Sequence, residues 1–193
     1  IVILGALLLT ACSSATPVTQ PAPAQTTTNT SQPTTPPPTT VSPPPAPTIP
    51  TGVSIGNLAP DFQLQTLTGD NISLSGLRGK PVLLNLWATW CGPCKAEMPY
   101  LQQINDRWSS KGLVLLTVDV GEKTATVEKF MTELNLSMTV AMDTDMKVTN
   151  KSYLIGAIPT TFLIDKDGVI RQKVVGAFPN VEAIEKELRK IMP

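Results

Sequence analysis

The chain has 193 residues, 15 basic side chains against 15 acidic ones, and no histidine. The balanced charge gives no electrostatic case for a nucleic-acid partner, and the missing imidazole excludes histidine general bases, histidine metal ligands and Ser-His-Asp catalysis. The three cysteines, Cys12, Cys91 and Cys94, supply one CxxC pair, two thiolates where a structural zinc site usually takes four ligands, so no metal is expected.

Composition divides the chain. Residues 1–9, IVILGALLL, are almost wholly apolar, residues 13–50 hold 12 of the 19 prolines without one charged side chain, and every charge lies at or after Asp61. The apolar start has the length of a signal-peptide core and is too short to span a bilayer. It begins with Ile1, so an initiator and a charged leader are expected to be missing from it. The run ends in LTAC, Leu9 to Cys12, which resembles the lipobox of bacterial lipoproteins. That resemblance implies that residues 1–11 are a truncated signal peptide, removed on maturation, and that Cys12 carries lipid. The alternatives are a stray cysteine in a cleaved signal or a longer membrane anchor. Residues 12–51, with SQPTTPPPTTVSPPPAP, lack the apolar side chains that offset ordering entropy. Polyproline II stretches make this segment a semi-rigid spacer with a reach on the order of 100 Å, a stalk that holds a domain off a membrane.

Residues 52–193 read as one globular domain. APDFQLQTLTGDNISL predicts two short strands around a turn at Thr68-Gly69-Asp70. PVLLNLW (81–87) is a continuous apolar run, the pattern of a strand buried on both faces. A helix is expected from Gly92, with Met98, Leu101, Ile104 and Trp108 at helical spacing. LVLLTVDV (113–120) is a second buried strand. Val127, Phe130, Met131 and Leu134 mark a second helix, and TVAMD a short strand. TTFLID (160–165) and VIRQKVV (169–175) flank Lys166-Asp167-Gly168, a hairpin turn. Val181, Ile184, Leu188 and Ile191 form the stripe of a last helix. Met131, Met138, Met142 and Met146 read as core fillers, and Trp87 as core.

The Cys91–Cys94 pair follows a buried strand and opens a helix, the context of a redox motif on a βα unit. Near a helix N-terminus, free N–H groups and the macrodipole favour a thiolate at Cys91. Cys94 stands about one turn on, close enough to bridge, and Pro93 fits a first turn where its missing N–H costs little. Cys91 is therefore expected to attack a substrate disulfide and Cys94 to resolve the mixed disulfide. A structural disulfide or two inert thiols are the plainer alternatives.

WATWCGPC resembles the active site of the thioredoxin superfamily, and GAIPTTFLIDKDG its cis-proline loop, which implies a cis bond at Ile158-Pro159. In this superfamily that loop lies beside the cysteines, so the backbone at Ile158 is expected to pair with an extended substrate segment. Residues 53–193 resemble more narrowly the TlpA/ResA branch, in the APDF hairpin, the CGPCKAEMP run, VDVGE and a segment inserted before the cis-proline loop. The resemblance implies an α/β thioredoxin-like fold, a central mixed sheet flanked by helices, with an N-terminal β-hairpin and a ββα C-terminal half. It implies a monomeric, membrane-tethered extracytoplasmic thiol–disulfide oxidoreductase that reduces secreted disulfides, including those of apocytochrome c, and is recharged by a membrane electron donor. Its redox group is the Cys91–Cys94 disulfide, with no other cofactor.

Thioredoxin has a buried carboxylate in the strand before its CxxC. Asn85 stands there in this chain and cannot titrate. Glu97, three residues after Cys94, is the proton acceptor expected instead; a solvated helix-face glutamate is the alternative. Trp90, Gly92, Pro93, Ile158 and Pro159 are expected to meet the substrate. Three other readings stand beside this one. A peroxiredoxin shares the APDF start but needs a threonine three residues before its cysteine, where this chain has Ala88, with Thr89 one place off. A copper chaperone of related fold takes a CxxxC spacing and a histidine. The last is a lipid-anchored binding module with a vestigial CxxC.

Overall fold

The computed structural model describes residues 48–192; the expectations for residues 1–11, Cys12 and most of the 12–51 spacer lie outside the described residues. The strands and helices run β1 (Gln63–Thr66), β2 (Asn71–Ser73), β3 (Val82–Trp87), α1 (Gly92–Trp108), β4 (Val114–Val120), α2 (Thr124–Glu133), β5 (Thr139–Asp143), β6 (Thr160–Ile164), β7 (Ile170–Val175) and α3 (Val181–Leu188). The strands build one seven-stranded sheet in the order β2-β1-β5-β4-β3-β6-β7. The inner pairs β3–β4 and β4–β5 are parallel, while β6, β7 and the β1–β2 hairpin join antiparallel. This is the α/β thioredoxin-like fold, a mixed sheet flanked by helices, with an N-terminal hairpin and a ββα C-terminal half.

β3 explains the layering. All six of its residues are buried, and alternate side chains point to opposite faces. Leu83 and Trp87 enter the core that holds Met98, Leu101 and Ile104 of α1, Val127 of α2 and Ile184 of α3. Val82, Leu84 and Leu86 enter the other core, with Phe62, Tyr153 and Phe162. Each fully buried leucine contributes on the order of 2 kcal/mol, which favours a central strand over an edge.

The elements differ from the sequence reading in particulars. Leu134 is 45% exposed at the C-cap of α2 rather than part of its buried stripe, because the helix has ended there. Met146 is no core filler. It is 42% exposed at a left-handed backbone position, φ 55°, in the turn after β5, whereas Met131, Met138 and Met142 are buried. A π-helical turn at Val148–Ser152 had no periodic signal. Buried Asp143 organises it by accepting from the N–H groups of Val148 (3.1 Å) and Thr149 (2.7 Å) and from Thr149 Oγ1 (2.6 Å).

The register sets the ends of the domain. Leu86 lies opposite Thr160 and Val82 opposite Ile164. The segment after β3 and the segment before β6 therefore meet at one end of the sheet, and the β6–β7 turn lies at the other. At that far end Pro50 accepts from the N–H of Leu58 at 2.9 Å, and Leu58 forms an antiparallel bridge to Val169.

Candidate active site

Helix α1 begins where Cys91, in extended conformation (φ −82°, ψ 111°), serves as N-cap. Its Sγ accepts the N–H of Cys94 at 3.2 Å, the bond a capping side chain makes to an otherwise free amide of the first turn. Pro93 occupies that turn and no acidic side chain does, so no carboxylate competes for its amides. Cys91 and Cys94 are joined as a disulfide with Cα atoms 5.2 Å apart. Cys91 is 6% exposed and Cys94 fully buried, an asymmetry that leaves the first sulfur as the one open to a partner.

The Ile158–Pro159 peptide is cis, and the Ile158 carbonyl oxygen lies 3.6 Å from Cys91 Sγ. Trp90 is 67% exposed, and Gly92 and Pro93 are exposed beside it. Ile158 is half-buried and Pro159 buried. The five residues expected to meet a substrate thus gather around the disulfide. Trp90, Ile158, Ile155 and Ala157 line one shallow hollow there together with Met146.

Glu97 is fully buried, so the solvated helix-face alternative falls. Its Oε1 accepts from Asn85 Nδ2 and its Oε2 from the N–H of Phe178, each at 2.9 Å. Asn85 Nδ2 also donates to Thr161 Oγ1 at 2.9 Å, and its Oδ1 is left without a donor. Burial pushes the Glu97 carboxyl up to about 6, against the opposing pull of the Phe178 and Asn85 donors. Asn85, where the resemblance to thioredoxin points to a carboxylate, presents a donor to a carboxylate on the helix. The Phe178 amide, from the loop ahead of α3, carried no sequence signal.

The approach to Cys91 has a second acidic neighbour that sequence reasoning passed over. Glu122 Oε2 accepts the N–H of Thr89 at 2.6 Å and Glu122 Oε1 accepts Thr89 Oγ1 at 2.7 Å. Gly121, at φ 77°, permits the turn after β4 that brings Glu122 back over the loop. The VDVGE run served only as part of a family resemblance; a glutamate directly after a strand-ending glycine was the signal in it. Among the described residues no group of three or more His, Cys, Asp or Glu side chains is placed to hold a metal, and no helix is long and apolar enough to cross a membrane.

Residues 55–173 match the AhpC/TSA family. The chain is 43% identical over 143 residues to the thiol-disulfide oxidoreductase ResA of Geobacillus kaustophilus (strain HTA426), covering 74% of this chain and 81% of the relative. Its fold is similar to the crystal structure assigned to the thiol:disulfide interchange protein DsbE of Chlorobium tepidum, with a TM-score of 0.67 and 34% identity over 72% of this chain and 99% of that one. It is also similar to the exposed lipoprotein thioredoxin Etrx1 of Streptococcus pneumoniae strain TIGR4, with a TM-score of 0.59 and 30% identity over 67% of this chain and 98% of that one.

Proposed function

The chain belongs to the AhpC/TSA family and is a ResA-like thiol–disulfide oxidoreductase of the thioredoxin superfamily, and from that premise we propose that it reduces disulfides of extracytoplasmic proteins, with Cys91 attacking and Cys94 resolving. The observation that carries this reading is the cap: Cys91 Sγ receives the Cys94 amide at the start of α1. The same amide and the helix N-terminus stabilise a thiolate once the disulfide is opened.

The reduced enzyme begins with Cys91 as thiolate. It attacks one sulfur of a substrate disulfide and forms a mixed disulfide, and the first substrate sulfur leaves as a thiolate. Cys94 gives its proton to Glu97, attacks Cys91 Sγ and expels the second substrate thiolate. Two electrons pass to the substrate and the Cys91–Cys94 disulfide remains. Glu97 suits the proton step because its carboxyl, held near 6, is largely ionised at neutral pH yet close enough in basicity to accept a proton. The exposed edge at Ile158, beside Cys91 Sγ, pairs with an extended substrate segment, while Trp90, Gly92, Pro93 and Pro159 shape the contact around it.

The LTAC sequence and the proline-rich segment support a lipid anchor at Cys12 with residues 12–51 as spacer and 52–193 as the catalytic domain. The resemblance to ResA-type proteins supports an extracytoplasmic site and a membrane dithiol donor that restores the thiols. Apocytochrome c is one substrate of this class, and the enzyme works as a monomer. Trapping tests the roles. Cys94→Ser accumulates a mixed disulfide through Cys91, and full reductase activity in Cys91→Ser would overturn the assignment. The midpoint potential of the couple tests the direction: a strongly oxidising value makes this a disulfide-forming enzyme. Thr89 is held by Glu122, Arg107 and Arg171 pair with Glu185 and Asp165, the Arg78 guanidinium lies against Gly168 in the β6–β7 turn, and Arg189 is the C-cap of α3. A thiol peroxidase site of threonine and arginine on the cysteine therefore has no support here, and a direct peroxide assay is expected to give no turnover above free thiol.

A further inference from the structure

Asp119, next to last in β4, is fully buried, and only one of its oxygens has a donor. Oδ1 accepts the N–H of Glu122 at 3.2 Å, while Oδ2 is buried with no hydrogen-bond partner. A carboxylate left so loses its solvation without compensation. The group beside it is another acid, Glu122, whose two oxygens are both accepting from Thr89. A proton on Asp119 resolves both problems, since an unsatisfied acceptor becomes a donor toward Glu122 and the repulsion between two carboxylates vanishes.

We propose that Asp119 and Glu122 hold one proton between them as a positioning clamp, which fixes Thr89 and Trp90 ahead of Cys91 and makes the reactivity of that thiol depend on the clamp's proton. Neither acid touches the reacting sulfurs. Glu122 acts through Thr89, two residues before Cys91, and Asp119 acts through Glu122. The proton does not enter the exchange; it keeps Glu122 in place. When it leaves, a buried negative charge faces a half-buried one, and the group that moves is Glu122, because it lies in the loop beyond Gly121 while Asp119 is locked in the β4 ladder opposite Trp87 and Met142.

The surrounding charges favour retention of the proton. Burial first, then Glu122, then Asp143 at the end of β5 push the Asp119 carboxyl up to about 8, against the pull of the Glu122 amide. β3 and the loop after it bring Trp87 and Thr89, neither of which is charged. On α1, Glu97 is turned to Asn85 and Phe178. Lys95 of α1 and Lys129 and Glu133 of α2 line a hollow with Thr89, and neither Glu122 nor Asp119 lines it.

This inference rests on Cys91 being the attacking thiol, and its test separates the two ideas. Second-order rates of the reduced full-length protein with 5,5′-dithiobis(2-nitrobenzoate) are compared from pH 6 to 10 for wild type and Asp119→Asn, whose amide donates to Glu122 at every pH. The ratio of the two rates cancels the titrations of Cys91 and Glu97. It is expected to stay level below pH 7 and to fall about tenfold through pH 8, within the range that misplacement of reacting groups costs. Glu122→Gln is expected to be slow throughout. A ratio that stays level to pH 10 while Cys91 remains fast overturns the clamp alone. A wild-type Cys91 no faster than a free peptide cysteine overturns the exchange reading beneath it. Should Asp119→Asn not fold, infrared spectra of the wild-type protein with carboxyl-labelled aspartate decide: a protonated aspartic C=O band at pH 7 supports the clamp, and its absence overturns it.

Discussion

Two acidic regions flank the disulfide, one behind Cys94 and one ahead of Cys91, and they are built differently. Behind Cys94, Glu97 has a separate donor for each oxygen and its carboxyl rises only to about 6. Ahead of Cys91, Asp119 has one donor, an orphan oxygen and two acidic neighbours, and it rises to about 8. Both side chains are fully buried. Burial raises both acids, and the count of donors and the sign of the neighbours set how far. One acid is prepared to exchange a proton at neutral pH and the other to keep one.

The most forceful way to break the comparison is to remove the sulfurs it surrounds. Cys91→Ser is expected to bring disulfide exchange down to the uncatalysed background. Cys94→Ser still attacks but stalls as a mixed disulfide, which non-reducing electrophoresis resolves. The region behind Cys94 is probed next by Glu97→Gln. This variant is expected to slow exchange at neutral pH by about 10²-fold, the scale of a lost general base, and to lose the step near pH 6 from the rate profile. An unchanged profile removes Glu97 from the mechanism.

Stability against pH sharpens the contrast without reference to turnover. Both carboxyls are raised in the folded state, so folding retains protons that the unfolded chain releases, and stability falls as pH rises. The Glu97 contribution is fully present below pH 4.5 and is lost through about pH 6, on the order of 2 kcal/mol. The Asp119 contribution is fully present below 3.8 and is lost through about pH 8. Urea midpoints are expected to decline over both windows in wild type, and Asp119→Asn is expected to flatten the upper one. A wild-type midpoint that climbs from pH 5 to pH 8, above the range in which the lowered carboxyls of Asp61 and Asp165 gain stability by ionising, contradicts both assignments. The smallest effect belongs to Thr89→Val, which keeps the amide bond to Glu122 but loses the hydroxyl bond. It is expected to cost about 1 kcal/mol, read from the same titrations.

The sequence disclosed one of these regions and concealed the other, for a physical reason. Glu97 lies three residues from Cys94 on one helix, so periodicity placed both on a shared face, and the resemblance to the TlpA/ResA branch singled it out. β3 and β4 showed themselves as largely apolar runs because central strands are buried on both sides, and β6 as one arm of a hairpin. Glu122 reaches Thr89 only through the parallel pairing of β4 with β3 and the reversal at Gly121, a contact 33 residues apart that no local pattern reports, and Asp119 is tied to it through the Glu122 amide. The Phe178 amide that completes the Glu97 pocket is 81 residues away and is a backbone group, which leaves no residue-type trace. Met146 misled for a related reason, since its hydrophobicity suggested the core while the left-handed turn after β5 directs it outward.

The strand register has a consequence for handling and for orientation. The polypeptide comes into the domain beside Leu58 and the β6–β7 turn, across the full length of β3 from the disulfide. A bead, a sensor surface or a fusion partner joined ahead of Pro50 would grip the back of the molecule and leave its reactive tip pointing outward, free to meet a bulky protein client.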